Sequence, residues 1–292
     1  NVRKVTADQL SESAQLAFKL GSDIEEHELY QTDKPSEIVI TLRAPIENNA
    51  YIKSMKTRWF LDTIVLDAGH GGKDGGTQGK RGTKEKDITL DIAKRLGSLI
   101  EKNSRIKTIY TREEDVFISL KKRTQMANEK NGKLFISIHA NANPNKKVRG
   151  FETYLLRPGK TNDAIAVASR ENSVINLEEN KTNFYDKLEG SNLIMATMAQ
   201  SMYMKESEYL AALIQEEIGK KVSSKNRGVK QAGFYVLVGA SMPNVLVEVG
   251  YLSNKYEEKL LRKGSYRQNI AEGIYQAVIK FKQSKEKNLD KG

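Results

Sequence analysis

Thr63-Ile64-Val65-Leu66-Asp67-Ala68-Gly69-His70-Gly71-Gly72 reads as a short apolar strand running into a glycine-rich turn that carries a histidine. Aliphatic and β-branched residues in an unbroken run suit a strand buried on both faces, and flanking glycines let the backbone turn sharply without crowding the imidazole. Four more runs of the same kind follow, at residues 106–110, 134–138, 151–155 and 245–249. Between the first two, Ile88, Ile92, Leu96, Leu99 and Ile100 recur at helical spacing behind Asp87, which is placed to cap the helix. Residues 119–131, closed by Gly132, and residues 207–222 and 266–282 read as further helices. Strand runs alternating with helical stretches predict an α/β fold, a mixed, mostly parallel sheet flanked by helices.

Two segments break the alternation. Residues 1–60 contain strand-like alternation such as Glu37-Ile38-Val39-Ile40-Thr41-Leu42 after a polar, turn-rich stretch at Thr32-Asp33-Lys34-Pro35. They predict a small N-terminal β-containing unit, joined through residues 54–58 to a larger domain over 61–285, with 286–292 left as a tail. Residues 157–207 separate one strand from the next core helix by more than an ordinary loop. Ala164, Ala168 and Glu171 fall on one side of a helical pattern there, and Ile194, Met198 and Met202 on another. Such a helical insertion is either a lid or a packed accessory subdomain.

Composition narrows the chemistry. The 292 residues, 38% hydrophobic and 29% charged with five prolines, describe a globular chain rather than a disordered or fibrous one. No run is long and apolar enough to span a bilayer, and Asn1-Val2-Arg3-Lys4 opens no apolar stretch of signal type, so any signal peptide is expected to have been removed. The absence of cysteine excludes disulfides, thiolate metal sites and a cysteine nucleophile. Any metal must therefore use histidine and carboxylate. Forty-eight Lys+Arg against 37 Asp+Glu give +11, which favours an anionic polymer or is simply solvated helix surface. The lysines are scattered and not interleaved with aromatics, so nucleic-acid binding has no motif behind it.

Only three histidines exist, and two of them, His70 and His139, come just after apolar strand runs, where open α/β sheets place their ligands. No phosphate-loop or dinucleotide glycine pattern accompanies His70. A hydrolytic zinc commonly takes three His or carboxylate ligands and leaves one position open. His70 and His139 supply two. Glu85 is placed to supply the third, in the loop before the helix that follows the first strand; alone, it reads as a surface charge. Glu248 interrupts the apolar run Val245-Leu246-Val247-Glu248-Val249-Gly250, so it needs a buried partner or faces a cavity as a general base.

These stretches resemble the zinc-dependent N-acetylmuramoyl-L-alanine amidases of the amidase-3 type, from about residue 63 to 281. The resemblance rests on residues 65–72, Glu85, Thr111-Arg112, Ser137-Ile138-His139-Ala140-Asn141, Gly150-Phe151-Glu152-Thr153-Tyr154, residues 233–237 and residues 243–254. It implies one Zn2+ per chain held by His70, Glu85 and His139, and a catalytic Glu248. Zinc would polarise the lactyl amide carbonyl of peptidoglycan while Glu248 moves a proton from water to the departing alanine nitrogen. Arg112 and Asn141 are placed near the substrate, as polar contacts or as structural residues. Some members that act in cell division carry an insertion whose helix covers the zinc and puts a glutamate in its open position. Residues 166–172 are similar to that helix, which makes Glu171 the candidate inhibitory ligand and an activator protein an expected partner. Residues 1–60 look only faintly like the β-rich targeting modules that precede such amidases, and are shorter. The implied setting is periplasmic or secreted, in the cell envelope. A zinc peptidase acting within the stem peptide and a non-catalytic wall-binding regulator are the competing readings.

Overall fold

In the computed structural model, residues 2–9, 11, 13–22, 24, 26–31, 38–43, 60–159, 161–178, 185, 188 and 200–287 are described. The chain forms two compact units, residues 1–59 and 60–292. The first holds two antiparallel hairpins: β1 (Val2–Gln9) with β2 (Ala14–Leu20), and β3 (Glu26–Gln31) with β4 (Ile38–Arg43). The turn-rich stretch 32–35 and the connection 54–58 lie outside the described residues.

The second unit is built on the expected sheet. Its strands are β5 (Thr63–Ala68), β6 (Lys107–Tyr110), β7 (Leu134–Asn141), β8 (Phe151–Leu156), β9 (Asn226–Ala232) and β10 (Asn244–Tyr251). Among the described residues their order is β6-β5-β7-β10-β8-β9, parallel at every step except β10 with β8. Every residue of β7, β8 and β10 is buried, which is why these strands read as continuous apolar runs rather than alternating ones. Edge strand β9, Asn226-Arg227-Gly228-Val229-Lys230-Gln231-Ala232, is half polar and gives no such signal.

Six helices of this unit are described: α1 (Glu85–Asn103), α2 (Leu120–Glu129), α3 (Asn162–Asn172), α4 (Met204–Lys221), α5 (Lys255–Leu261) and α6 (Gly264–Lys287). α6 packs on α1 and α4, and α1 and α4 lie on the sheet. A separate core joins Val65, Phe135, Tyr154 and Leu246 of the sheet to Leu120 and Ala127 of α2, Val167 of α3, and Phe234 and Val236.

Three boundaries differ from the sequence reading. Glu85 is not in the loop before α1 but is its first residue. The loop itself caps the helix, because the N–H groups of Glu85 and Lys86 donate to the carbonyls of Thr77 and Gly75, and Asp87 is left inside the first turn. His139 lies within β7 rather than beyond it, since pairing with β10 continues to Asn141. α6 runs on to Lys287, past the expected start of the tail at 286, and residues 288–292 lie outside the described set, as do Ile194 and Met198 of the insertion. No helix among the described residues is long and apolar enough to cross a membrane.

Candidate active site

The strand-to-helix turn after β5 is held in a conformation that side chains resist. His70 takes φ 62°, in the left-handed region, followed by Gly71 and Gly72 also at positive φ. Cross-bracing holds it there. Gly71 and Asp74 exchange backbone hydrogen bonds of 2.9 and 3.1 Å, and Arg123 of α2, fully buried, donates to the carbonyls of Ala68 and His70. Asp67, also fully buried, accepts from Arg123 at 2.8 Å, from Thr111 at 2.6 Å and from Ser137 at 2.7 Å. Burial alone would push its carboxyl up, but Arg123 and the two hydroxyls hold it below the usual carboxylate range.

Two glycines make room for the site. A Cβ on Gly69 would stand 2.5 Å from the His139 ring, and one on Gly76 would stand 2.6 Å from His70 Cδ2 and 2.7 Å from a Glu85 oxygen. The imidazoles approach edge to face, with ring centroids 4.8 Å apart. His70 Nε2 and His139 Nδ1 each lie 3.1 Å from Glu85 Oε1 and 3.1 Å from Glu171 Oε2. All four residues are buried, and their four donor atoms lie within 4.8 Å of one another. The other oxygen of Glu85 accepts from Thr77 N at 2.8 Å, while Oε1 also accepts from Ala140 N at 2.8 Å, so the start of α1 aims this carboxylate.

Asp74 was not singled out from the sequence. Its Oδ2 lies 2.7 Å from His70 Nδ1 and its Oδ1 accepts from Gly76 N, which fixes the ring with Nε2 turned into the cluster. An aspartate four residues beyond a histidine in a glycine-rich turn is the signal that could have found it.

Glu248 is fully buried beside His139, its residue partner across β7 and β10, and neither of its carboxylate oxygens has a hydrogen-bond partner. The structure thus gives it no buried ion pair at hydrogen-bonding distance. Burial, then the nearby charges of Glu171 and Glu85, push its carboxyl well above the ordinary value. Burial disfavours charge on the histidines too, but Glu85 beside His70 and Glu171 beside His139 outweigh it. His70 is raised well above its usual value and His139 to about 9.

Arg112 and Asn141 separate. Arg112 Nε donates to Ala68 O, and its terminal nitrogens donate to Glu114 O, Gly69 O, Lys86 O and Thr89 Oγ1, so its guanidinium is spent on the His70 turn. Asn141 is buried at the end of β7, where its Oδ1 accepts from Arg170 at 2.7 Å and its Nδ2 has no partner. Arg170 belongs to α3, as Glu171 does, and also donates to Ala142 O at 2.9 Å.

Helix α3 of the insertion lies against the cluster. Thr161 caps α3, whose Ala164, Val167 and Ala168 are buried against the core while Glu171 enters the group of histidines. Asn172, next to Glu171, donates to Gly233 O and accepts from Tyr235 N. The space left beside the imidazoles is about 10 Å³, on the order of a single water.

A family model described as N-acetylmuramoyl-L-alanine amidase matches residues 64–280. The chain is 35% identical over 220 residues to N-acetylmuramoyl-L-alanine amidase AmiA of Escherichia coli (strain K12), covering 75% of each chain. It is also 35% identical over 216 residues to AmiC of Escherichia coli O6:H1, covering 74% of this chain but only 51% of that relative, about half its length. Among solved structures, the CwlD amidase from Clostridioides difficile in complex with the GerS lipoprotein is similar with a TM-score of 0.57 and 29% identity, covering 76% of this chain and 99% of that one. A family match over this much of the sequence, with relatives at this identity, means that the chain belongs to the N-acetylmuramoyl-L-alanine amidases.

Proposed function

We propose that the second unit is a zinc-dependent amidase that cuts peptidoglycan between N-acetylmuramic acid and the L-alanine of the stem peptide, and that α3 holds it inactive. The observation that carries this reading is the meeting of His70 Nε2, His139 Nδ1, Glu85 Oε1 and Glu171 Oε2 with nitrogen-to-oxygen separations of 3.1 Å. Atoms tetrahedrally placed around zinc at ~2.05 Å stand about 3.3 Å apart, so the donor set and its spacing suit one ion. His70 Nε2 and Glu171 Oε2 are buried without a hydrogen-bond partner, as atoms reserved for a metal would be.

In this reading His70, Glu85 and His139 hold the ion and Glu171 takes the position that a substrate or water needs. A bound zinc would supply Lewis-acid polarisation to the scissile carbonyl and to the attacking water. Glu248 provides the rest. Its unpartnered oxygens would accept the water proton and donate it to the alanine nitrogen as the C–N bond breaks. Asn141, once α3 withdraws, offers both ends of its amide to the substrate. The zinc peptidase and the wall-binding regulator are less well supported, because the family match is to amidases and His70, Glu85, His139 and Glu248 are all present.

The test is zinc stoichiometry combined with digestion of purified sacculi. About one zinc per chain is expected, and chelator-sensitive release of peptides with N-terminal alanine from the chain carrying Glu171→Ala. A folded protein with no zinc, or new termini inside the stem, would overturn the reading. Asp74→Asn should weaken zinc affinity by roughly 10–100-fold in chelator competition, because one amide oxygen cannot accept from both Gly76 N and the His70 ring. An unchanged affinity would leave Asp74 without that role.

Removing the plug should release activity. α3 is anchored by small apolar residues, Ala164, Val167 and Ala168, whose burial contributes on the order of 4 kcal/mol, together with the Arg170 and Asn172 hydrogen bonds. A protein partner binding the insertion could offset that much. Such an activator, acting in the cell envelope, fits this device. Glu171→Ala is expected to raise basal hydrolysis roughly 5- to 150-fold, the usual range of coupling between a regulatory element and a site. Unchanged basal activity would remove α3 from the regulation.

A further inference from the structure

Beside Glu248, on the next strand, stands a buried carboxylate that the mechanism does not use. Glu152 is the residue partner of Glu248 across β8 and β10, and it is fully buried. It accepts from Tyr154 Oη at 2.6 Å, Tyr251 Oη at 2.8 Å and Lys230 Nζ at 2.7 Å, and from Arg227 Nε. Arg227 lies over the Tyr251 ring and Lys230 near the Tyr154 ring. Two cations therefore share one carboxylate, leaving one positive charge beside the site.

The cations are not sealed in. Each side chain is 23% exposed, while Glu152 is 0% exposed. Arg227 spends only Nε on Glu152, and its two terminal nitrogens make no hydrogen bond among the described residues. A planar guanidinium clamped at Nε, with its terminal nitrogens free, is a preorganised carboxylate receptor. A purely structural ion pair would need one cation here, not two partly exposed ones held on a single buried carboxylate.

We infer that Arg227 and Lys230 form a subsite for a free carboxylate on the second or third residue of the stem peptide. This rests on the amidase reading. The spacing supports it: strands lie ~4.8 Å apart, so Arg227, anchored two strands from Glu248 and reaching back to Glu152, is within about 10 Å, the length of two to three extended residues. Glu152 is the positioning residue that orients both cations, and the ligand engages the Arg227 terminal nitrogens.

The experiment uses the zinc-loaded full chain carrying Glu171→Ala and two muramoyl tripeptides that differ only in whether the peptide carboxylates are free or amidated. The free form should be preferred roughly tenfold in kcat/KM, expressed in KM with kcat nearly equal, as expected for a charged hydrogen bond made equally in ground and transition states. Adding Arg227→Gln should bring the ratio near one, with the loss falling mainly on the free form. Arg227→Lys should restore part of the preference, and a thermal melt of each variant separates lost recognition from lost folding. Equal cleavage of both substrates by the parent chain, or a preference that survives in folded Arg227→Gln, overturns the subsite alone. Cleavage of neither substrate by the folded, zinc-loaded parent overturns the amidase reading and the subsite with it.

Discussion

Glu248→Gln is expected to lower kcat on the order of 10³-fold while leaving zinc stoichiometry unchanged, since a positioned general base and acid contributes about 10²–10⁴-fold. Glutamine matches the shape of the carboxyl and breaks no existing hydrogen bond, because neither Glu248 oxygen has a partner. The same variant should not lose stability. A carboxyl whose native pKa is raised costs stability as pH climbs above its unfolded value, here about 4.5. The zinc-free Gln variant should therefore melt higher than the zinc-free parent at neutral pH and equal to it below about pH 4. Retention of more than about a tenth of the parent's kcat would assign the proton transfer elsewhere.

Asp67→Asn should have the largest effect on stability, a loss of about 3–5 kcal/mol by denaturant unfolding. Asp67 and Arg123 are both fully buried and paired at 2.8 Å, and the substitution leaves the guanidinium without its counter-charge. Arg123 also carries the carbonyls of Ala68 and His70, so the turn loosens along with the pair, and zinc affinity should fall too. The pH dependence has a definite sign. The native pKa of Asp67 is lowered, so its contribution is present above the unfolded value near 3.8 and is lost as pH falls through the native one. The variant should therefore show a shallower decline below pH 4 than the parent. A loss under 1 kcal/mol would mean that the buried pair adds little to this fold.

The apolar runs located β5, β7, β8 and β10 because strands buried on both faces must be apolar throughout, and that requirement is written locally. It exposed Glu248 as the anomaly in one of them. The same signal was present at Glu152 in Phe151-Glu152-Thr153-Tyr154, where it marks a second buried carboxylate. Edge strand β9 escaped detection because all but one of its residues are exposed or only partly buried and polar residues are tolerated there, and with it went Arg227 and Lys230. Asp87 looked like the cap of α1 because capping residues are local, whereas the actual cap is supplied by the backbone of a loop folded back on the helix.

The sequence by itself determined the alternation of strand and helix, the histidine and glutamate chemistry that a cysteine-free chain can offer a metal, and the presence of an insertion between two core elements. These follow from burial periodicity and side-chain type, which each segment carries alone. Tertiary structure decided which side chains face one another: that Asp74 orients His70, that Arg112 braces a turn, that Glu171 rather than its neighbours reaches the histidines, and that Glu152 gathers two cations next to Glu248. Those facts depend on strand order and on the antiparallel pairing of β8 with β10. That pairing brings Glu152 and Glu248 together from positions 96 residues apart, the difference between 248 and 152.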